Sequence, residues 1–568
     1  MRPRETTIIH RGPAPRSRGS ARGTGVLSGW SLVVTLLAVL VAAPVLVVLS
    51  SVFTPSGDVW SHLAATVLPR YVRNSVWLLL GVGSGTLVIG AGLAWLVTMC
   101  HFPGKRVFEW ALLLPMAVPA YILAYTYTDF LQFSGPLQTS LRAITGWGPG
   151  DYWFPNVRSL GGAIAMLTLA LYPYVYLLSR AAFLEQASSI LEASRSLGRG
   201  PWASFFIVSL PLARPAIVAG VALALMETLS DFGTVDYFGV VTFTTGIYRT
   251  WFGMGERVAA AQLAALLLVF VFVLIVLERW SRRRATYQQP TASRYRVLAG
   301  YRLSGWRAGL ALTAGLTPIA LGFLLPAGVL LAMTVRHAGR TVSPQFWQYA
   351  SNSLLLAVLT ALLAMALALV LAYGVRIRPN VLTKLATRVA SMGYAVPGSV
   401  IAVGVLLPLG LFDNTVDGWM RGTFGISTGL LLSGTIVGLV FAYLVRFLAV
   451  SFGTVEAGLG KVTRSMDEAA MSLGHRPLRT LGRVHVPMLR GSLLTAMLLV
   501  FVDVIKELPA TLIVRPFNFD TLAVRVYRLA SDERLVEASG GALAIVLVGI
   551  LPVIVVSTAI ARSRERSH

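Results

Sequence analysis

The sequence predicts an all-α membrane protein of about 12 transmembrane helices arranged as two parallel six-helix repeats, each with a helical cytoplasmic loop, and three observations predict it. The 568-residue chain has a mean hydropathy of +0.71 and 55% hydrophobic residues, values that ordinary soluble domains do not reach. Ten windows of at least 19 residues contain no Asp, Glu, Lys or Arg, and about 20 apolar residues suffice to cross the hydrocarbon core. Short motifs recur at offsets of 276 to 278 residues.

The ten windows are 23–57, 74–104, 110–128, 159–179, 258–277, 308–335, 341–375, 389–412, 422–445 and 538–561. Two further apolar stretches, 215–238 and 491–512, have spanning length and carry carboxylates inside. The formal charge of +24 does not gather into a basic patch interleaved with aromatics, so nucleic acid is not an expected partner. Most of the 48 Lys and Arg residues fall in alternate loops together with both termini, which the positive-inside rule places in the cytoplasm. The first apolar run is longer than a signal-peptide core and follows a long polar leader, so it reads as a retained helix. These features divide the chain into a disordered cytoplasmic N-terminus (1–29), a first repeat (30–278), a basic cytoplasmic linker (279–307) and a second repeat (308–568).

Catalytic chemistry finds little support. Cys100 is the only cysteine, and the seven histidines are scattered without HExxH spacing. No GxxxxGK[ST] phosphate loop occurs: the nearest approach, Gly458 to Lys461, has the wrong spacing and Val462 where the hydroxyl belongs. The chain therefore has no ATP-hydrolysis site or bound cofactor of its own, and no nucleophile–base or metal cluster at usable spacing.

The repeat is visible in Asn74-Ser75 and Asn352-Ser353, in Ala117-Val118-Pro119 and Ala395-Val396-Pro397, and in Glu192-Ala193 through Gly198 to Pro211, which returns as Glu468-Ala469 through Gly474 to Pro487. Six spans per repeat is an even number, so the second copy enters the membrane in the same orientation. Two parallel copies imply a pseudo-two-fold axis along the membrane normal with a pathway between them. The two polar cytoplasmic segments each read as a helix, a glycine C-cap, and a second short helix ending at proline.

This pattern resembles the cytoplasmic signature loop of the inner-membrane permeases of binding-protein-dependent ABC importers. The matching residues are Glu192, Ala193, Gly198 and Pro211 in the first repeat, with Ser194 replacing the family's second alanine, and Glu468, Ala469, Ala470, Gly474 and Pro487 in the second. The resemblance implies coupling-helix loops that dock on two separate ABC ATPase subunits, which carry the ATP and Mg, and an extracytoplasmic substrate-binding protein as the third partner. It also implies a bacterial cytoplasmic (inner) membrane location. A single such loop would usually be an ordinary solvated helix; two copies of one spacing, on one side, each preceding a carboxylate-bearing span, favour the coupling role.

The two carboxylate-bearing stretches pair Glu227 with Asp503 and Asp231 with Glu507 at an offset of 276. Spaced four apart, each pair is expected on one helical face. Charges at this depth usually face a bundle interior or an aqueous cavity. Four oxygen-donor groups suit a hard cation, and Glu227, Asp231, Asp503 and Glu507 are the candidate pathway residues and transient metal ligands. A docking or gating role and simple structural pairing, with Lys506 neutralising Glu507, are the competing readings. Residues 227–239 (ETLSDFGTVDYFG), 506–511 (KELPAT) and 515–523 (RPFNFDTLA) are closely similar to the ferric-iron permease subgroup, and 245–249 and 521–525 extend the match. Ferric iron is the substrate this similarity implies. Fused thiamine permeases are related, and Tyr237, Tyr248, Trp251 and Tyr527 keep a cationic aromatic ligand open; polyamine and phosphonate permeases share the wider family. A proton-driven secondary transporter with Glu227 and Glu507 as relay groups is the alternative from another class, and it leaves the duplicated loops unexplained.

Overall fold

The structure, a computed structural model, describes residues 29–185, 194, 196–198, 200–283, 301–377 and 379–565. The expected N-terminal tail lies outside the described residues apart from Gly29, as do Glu192 and Ala193. The first repeat contains α1 (Gly29–Ser50), α2 (Leu68–Met99), α3 (Ala120–Leu131), α4 (Leu160–Glu185), α5 (Leu210–Ser230), α6 (Gly233–Tyr237) and α7 (Arg257–Arg283). The second contains α8 (Trp306–Ile319), α9 (Leu325–Arg336), α10 (Pro344–Ile377), α11 (Gly398–Phe424), α12 (Ile436–Leu459), α13 (Arg464–Ser472), α14 (Arg490–Lys506), α15 (Pro509–Val514), α16 (Leu522–Ser531) and α17 (Leu535–Glu565). Among the described residues ten helices are long and apolar enough to cross a membrane, and two bent pairs bring the number to as many as 12. In hydrocarbon a helix satisfies its backbone within the segment, which is why apolar windows and helices coincide so closely.

The repeated Ala-Val-Pro motif breaks the chain at the same place in each repeat. Pro119 and Pro397 hold φ −56°, ψ 141° and φ −56°, ψ 142° and start α3 and α11. The window 110–128 is therefore not one straight span: the arms Lys105–Ala117 and Ala120–Thr145 meet at 88°, because proline lacks the N–H that would continue the preceding turn. The two asparagines are equivalent as well, with Asn74 Nδ2 donating to Val241 O (2.9 Å) and Asn352 Nδ2 to Asp520 O (3.0 Å).

The first span of each repeat packs on the other repeat. A Cβ added at Gly404 of α11 would strike the Pro44 carbonyl of α1, and one at Gly322, between α8 and α9, would lie 2.8 Å from Pro115 Cβ. Only small residues permit such backbone approach, and the exchange binds the two halves into one body. On the side of the signature loops, β1 (Cys100–His101) pairs in parallel with β2 (Tyr301–Arg302). The expected linker thus overlaps ordered structure at both ends, with α7 reaching Arg283 and β2 preceding α8.

Candidate functional site

The stretches 215–238 and 491–512 do not form continuous helices. α5 ends at Ser230 and α14 at Lys506; Asp231 (φ −65°, ψ 133°) and Glu507 (φ −68°, ψ 122°) follow in extended backbone before the short helices α6 and α15 begin. The expectation that each carboxylate pair shares one helical face is corrected accordingly. The physical reason lies in the amides of the next helix, which need acceptors. Asp231 accepts from Thr234 N (3.1 Å), Val235 N (3.2 Å) and Thr234 Oγ1 (3.0 Å), and Glu507 accepts from Ala510 N (2.9 Å). The repeat symmetry extends to these hydrogen bonds, since Thr234 and Ala510 stand at the same offset as Asp231 and Glu507.

All four carboxylates nevertheless line one cavity of about 120 Å³ between the repeats, with Tyr174, Ser230, Tyr394, Arg446 and Lys506 in its wall. Their neutralisation differs from the sequence reading. Lys506 Nζ pairs with Asp503 (2.8 Å) and not with Glu507. Glu507 is held by Arg446, whose Nη1 lies 3.1 Å from its carboxylate. Arg446 Nη2 also donates to Ser230 Oγ (3.0 Å) and lies 3.9 Å from Glu227. Among the described residues no three His, Cys, Asp or Glu side chains converge on a point that would hold a metal ion. The four acids therefore do not form a preassembled coordination cluster in this conformation: Asp231 and Glu507 cap helices, and Asp503 and Glu507 are paired with cations.

Arg446, Ser230, Tyr174 and Tyr394 were not singled out from the sequence. The window 422–445 stops at Arg446 because a charge ends the apolar count, yet α12 runs on to Leu459 through Phe-Leu-Ala-Val. A charged residue flanked on both sides by apolar sequence of helical length was the available signal.

The signature loops precede α5 and α14, at the opposite ends of those helices from α6 and α15. In the second loop Glu468, Ala469 and Ala470 lie on α13, with Glu468 and Ala469 exposed and Ala470 buried. A Schellman cap follows: His475 N donates to Ala470 O (3.0 Å) and Gly474 N to Met471 O (2.9 Å), with Gly474 at φ +77°. Gly198 takes φ +75° in the first loop, and Ser194 is buried with its hydroxyl 3.0 Å from that of Ser204. Leu197 and Leu473, at equivalent positions, are 78% and 79% exposed, and Trp202 and Leu478 form a second exposed apolar pair. Pro211 does not end the second short helix of the first loop as expected, whereas in the second loop that helix ends at Met488, one residue past Pro487. A π-turn at Phe205–Ser209 leads through Pro211 into α5, and the equivalent π-turn at Leu481–His485 precedes Pro487. The widened turn absorbs the donor that proline lacks. After Met488 the second loop bends by 79° into α14, whereas the first continues into its span.

On the far side the repeats touch through Tyr527 of α16, whose hydroxyl donates to Asp236 Oδ2 (2.6 Å), and through the exposed pair Arg158–Glu533 (3.2 Å). Phe232 packs 5.7 Å from the Tyr527 ring.

Comparison with known proteins agrees with this duplicated architecture. Residues 86–287 and 364–566 each match the family model of the binding-protein-dependent transport system inner membrane component. The chain is 25% identical to the Fe(3+)-transport system permease protein FbpB 2 of Haemophilus influenzae over 91% of this chain and 96% of that protein. It is also 25% identical to the ferric transport system permease protein FbpB of Actinobacillus pleuropneumoniae, over 84% of this chain and 69% of that one. The molybdenum transport system permease protein ModB of Escherichia coli matches 35% of this chain at 27% identity, with 89% of its own length covered. With two copies of the model spanning most of the sequence, the chain belongs to the family of inner membrane components of binding-protein-dependent transport systems.

Proposed function

We propose that this chain is the permease subunit of an ABC importer that moves ferric iron across the bacterial cytoplasmic membrane. The observation that carries the reading is one cavity between two parallel repeats lined by Glu227, Asp231, Asp503 and Glu507, in a chain similar over nearly its whole length to ferric permeases. Carboxylate oxygens match a hard trivalent cation, and a charged wall lowers the cost of removing its water. Two ATPase subunits, holding ATP and Mg, dock on the signature loops. The exposed apolar pairs Leu197/Leu473 and Trp202/Leu478 supply equivalent contacts for two identical partners. An extracytoplasmic binding protein delivers the ion at the face opposite the signature loops, with both termini in the cytoplasm.

ATP-driven closure of the ATPase pair moves both loops together, and each loop passes that motion to the span that bears its carboxylates. The cavity then opens to the loaded binding protein, and hydrolysis returns it inward. Uptake of radioactive ferric ion into proteoliposomes containing this chain, its ATPase and its binding protein tests the reading, with the double variant Asp231→Ala, Glu507→Ala as comparison. Expected is ATP-dependent ferric uptake in the parent and loss in a variant that still stimulates ATPase. Thiamine uptake in place of ferric ion removes the substrate assignment. Transport that survives without the ATPase and collapses with the proton gradient overturns the ABC mechanism.

A further inference from the structure

Arg446 sits near the middle of α12 (Ile436–Leu459), about 15 Å from its first residue and about 20 Å from its last at 1.5 Å per residue, and is 5% exposed. A guanidinium at that depth persists only where anions or acceptors surround it. Its partners come from both repeats: Glu507 at 3.1 Å from its own, Ser230 at 3.0 Å and Glu227 at 3.9 Å from the other. Ser230 Oγ in turn accepts from Gly398 N of the second repeat at 3.3 Å. Nε is buried and makes no hydrogen bond, so the guanidinium is incompletely satisfied where it lies. At the offset of 276 the first repeat has Ala170, which lines the same cavity. Close to a pseudo-two-fold axis two guanidiniums would collide, so one repeat supplies the arginine and the other a methyl group. Half of the charge compensation in this cavity thus rests on one residue that both repeats share.

We propose that Arg446 is a tethered counter-cation: in the closed state it occupies the position between Glu227 and Glu507 that a passing cation takes over, and by bridging the repeats it holds the cavity shut. The idea rests on the cation-pathway reading for the first half of that statement and on geometry alone for the second. Displacement by a cation of higher charge releases the bridge to Ser230 and Glu227, which couples arrival of the solute to separation of the repeats. Lys506 cannot do this, because its partner Asp503 lies three residues away on the same helix.

Two measurements on the full-length chain test it. In a Cys100→Ser background carrying Ala170→Cys, the rate of modification by a membrane-impermeant thiol reagent, in proteoliposomes without ATP, reports opening of the cavity. Arg446→Gln is expected to raise that rate about tenfold, Arg446→Lys to leave it near the parent, and the gentler Ser230→Ala to give an intermediate rate. In detergent, Arg446→Gln is expected to bind terbium(III), read by tyrosine-sensitised luminescence, at least tenfold more tightly than the parent, with the gain removed by adding Glu507→Gln. Parent-like labelling in both Arg446→Gln and Ser230→Ala, or an unchanged terbium affinity, overturns the proposal. Neither readout requires that ferric ion be the transported solute, so failure of the iron assignment is distinguishable from failure of the counter-cation role.

Discussion

Among the described residues the two signature loops share a left-handed glycine turn and a π-turn, and they differ in what holds them. The first rests on aromatic packing: Trp95 of α2 lies 5.0 Å from the Phe205 ring and 5.7 Å from Phe183, with Phe206 and Trp202 continuing the stack outward. The second rests on charge. Asp467 pairs with Arg376 of α10 (2.8 Å) and with His485 Nε2 (2.7 Å), while Arg376 also donates to the carbonyls of Leu459 and Val462 (2.8 and 2.9 Å). Tyr373, which corresponds to Trp95 at the offset of 278, donates to the Pro477 carbonyl at 2.7 Å. The duplicated backbone requires that each loop be rigidly attached to the span behind it. It does not dictate the chemistry of attachment, and the repeats have arrived at a nonpolar and an ionic solution.

That contrast can be broken most severely at Trp95, which is 6% exposed. Trp95→Ala is expected to cost about 3–5 kcal/mol through the cavity it leaves, seen as a lowered unfolding midpoint and reduced ATPase stimulation that salt does not alter. At the second loop, Asp467→Asn leaves Arg376 with one partner fewer and is expected to cost about 1–3 kcal/mol. Raising salt in the parent should weaken only this anchor, since ionic pairs are screened and aromatic packing is not. Equal salt sensitivity of protease cleavage at the two loops would contradict the division.

The glycines test what the loops have in common. No atom lies within 4 Å of a Cβ added at Gly198 or Gly474, so Gly→Val at either acts through the left-handed backbone alone, about 1–2 kcal/mol each. Gly→Asn is expected to retain most ATP-coupled uptake, because asparagine tolerates that conformation; if Asn fails as badly as Val, a packed contact with the ATPase and not the turn is what the glycine protects. The smallest effect is expected at the exposed Arg158–Glu533 pair, where Glu533→Gln should change stability by under about 0.5 kcal/mol, while Tyr527→Phe, which removes the half-buried cross-repeat hydrogen bond to Asp236, should be measurably larger by the same unfolding assay.

Much of the fold was legible in the sequence because lipid enforces it: spans of 20 apolar residues are helices wherever they occur, and Asn74/Asn352 and Pro119/Pro397 recur with the same hydrogen bonds and torsions. The left-handed turns at Gly198 and Gly474 were legible for a similar reason, since a glycine after a helical pattern has few other uses. The breaks at Asp231 and Glu507 were not. Hydropathy of spanning length hides two local signals, Gly233 and Pro509 at the first positions of α6 and α15; Pro509 has no N–H to continue a helix, and the amides that follow take the two carboxylates as acceptors.

By itself the sequence determined the number of spans, their parallel duplication, and the four acids, because these follow from hydropathy, parity and residue identity along one dimension. The tertiary structure decided which cation neutralises which acid. Lys506 is the neighbour of Glu507 in sequence, yet helical geometry directs it one turn back to Asp503, and Arg446, 61 residues away, fills the vacancy. It also decided that the first span of each repeat packs on the other. Both are matters of distance in three dimensions, where a Coulomb interaction or a close glycine contact acts over a few ångströms irrespective of separation along the chain.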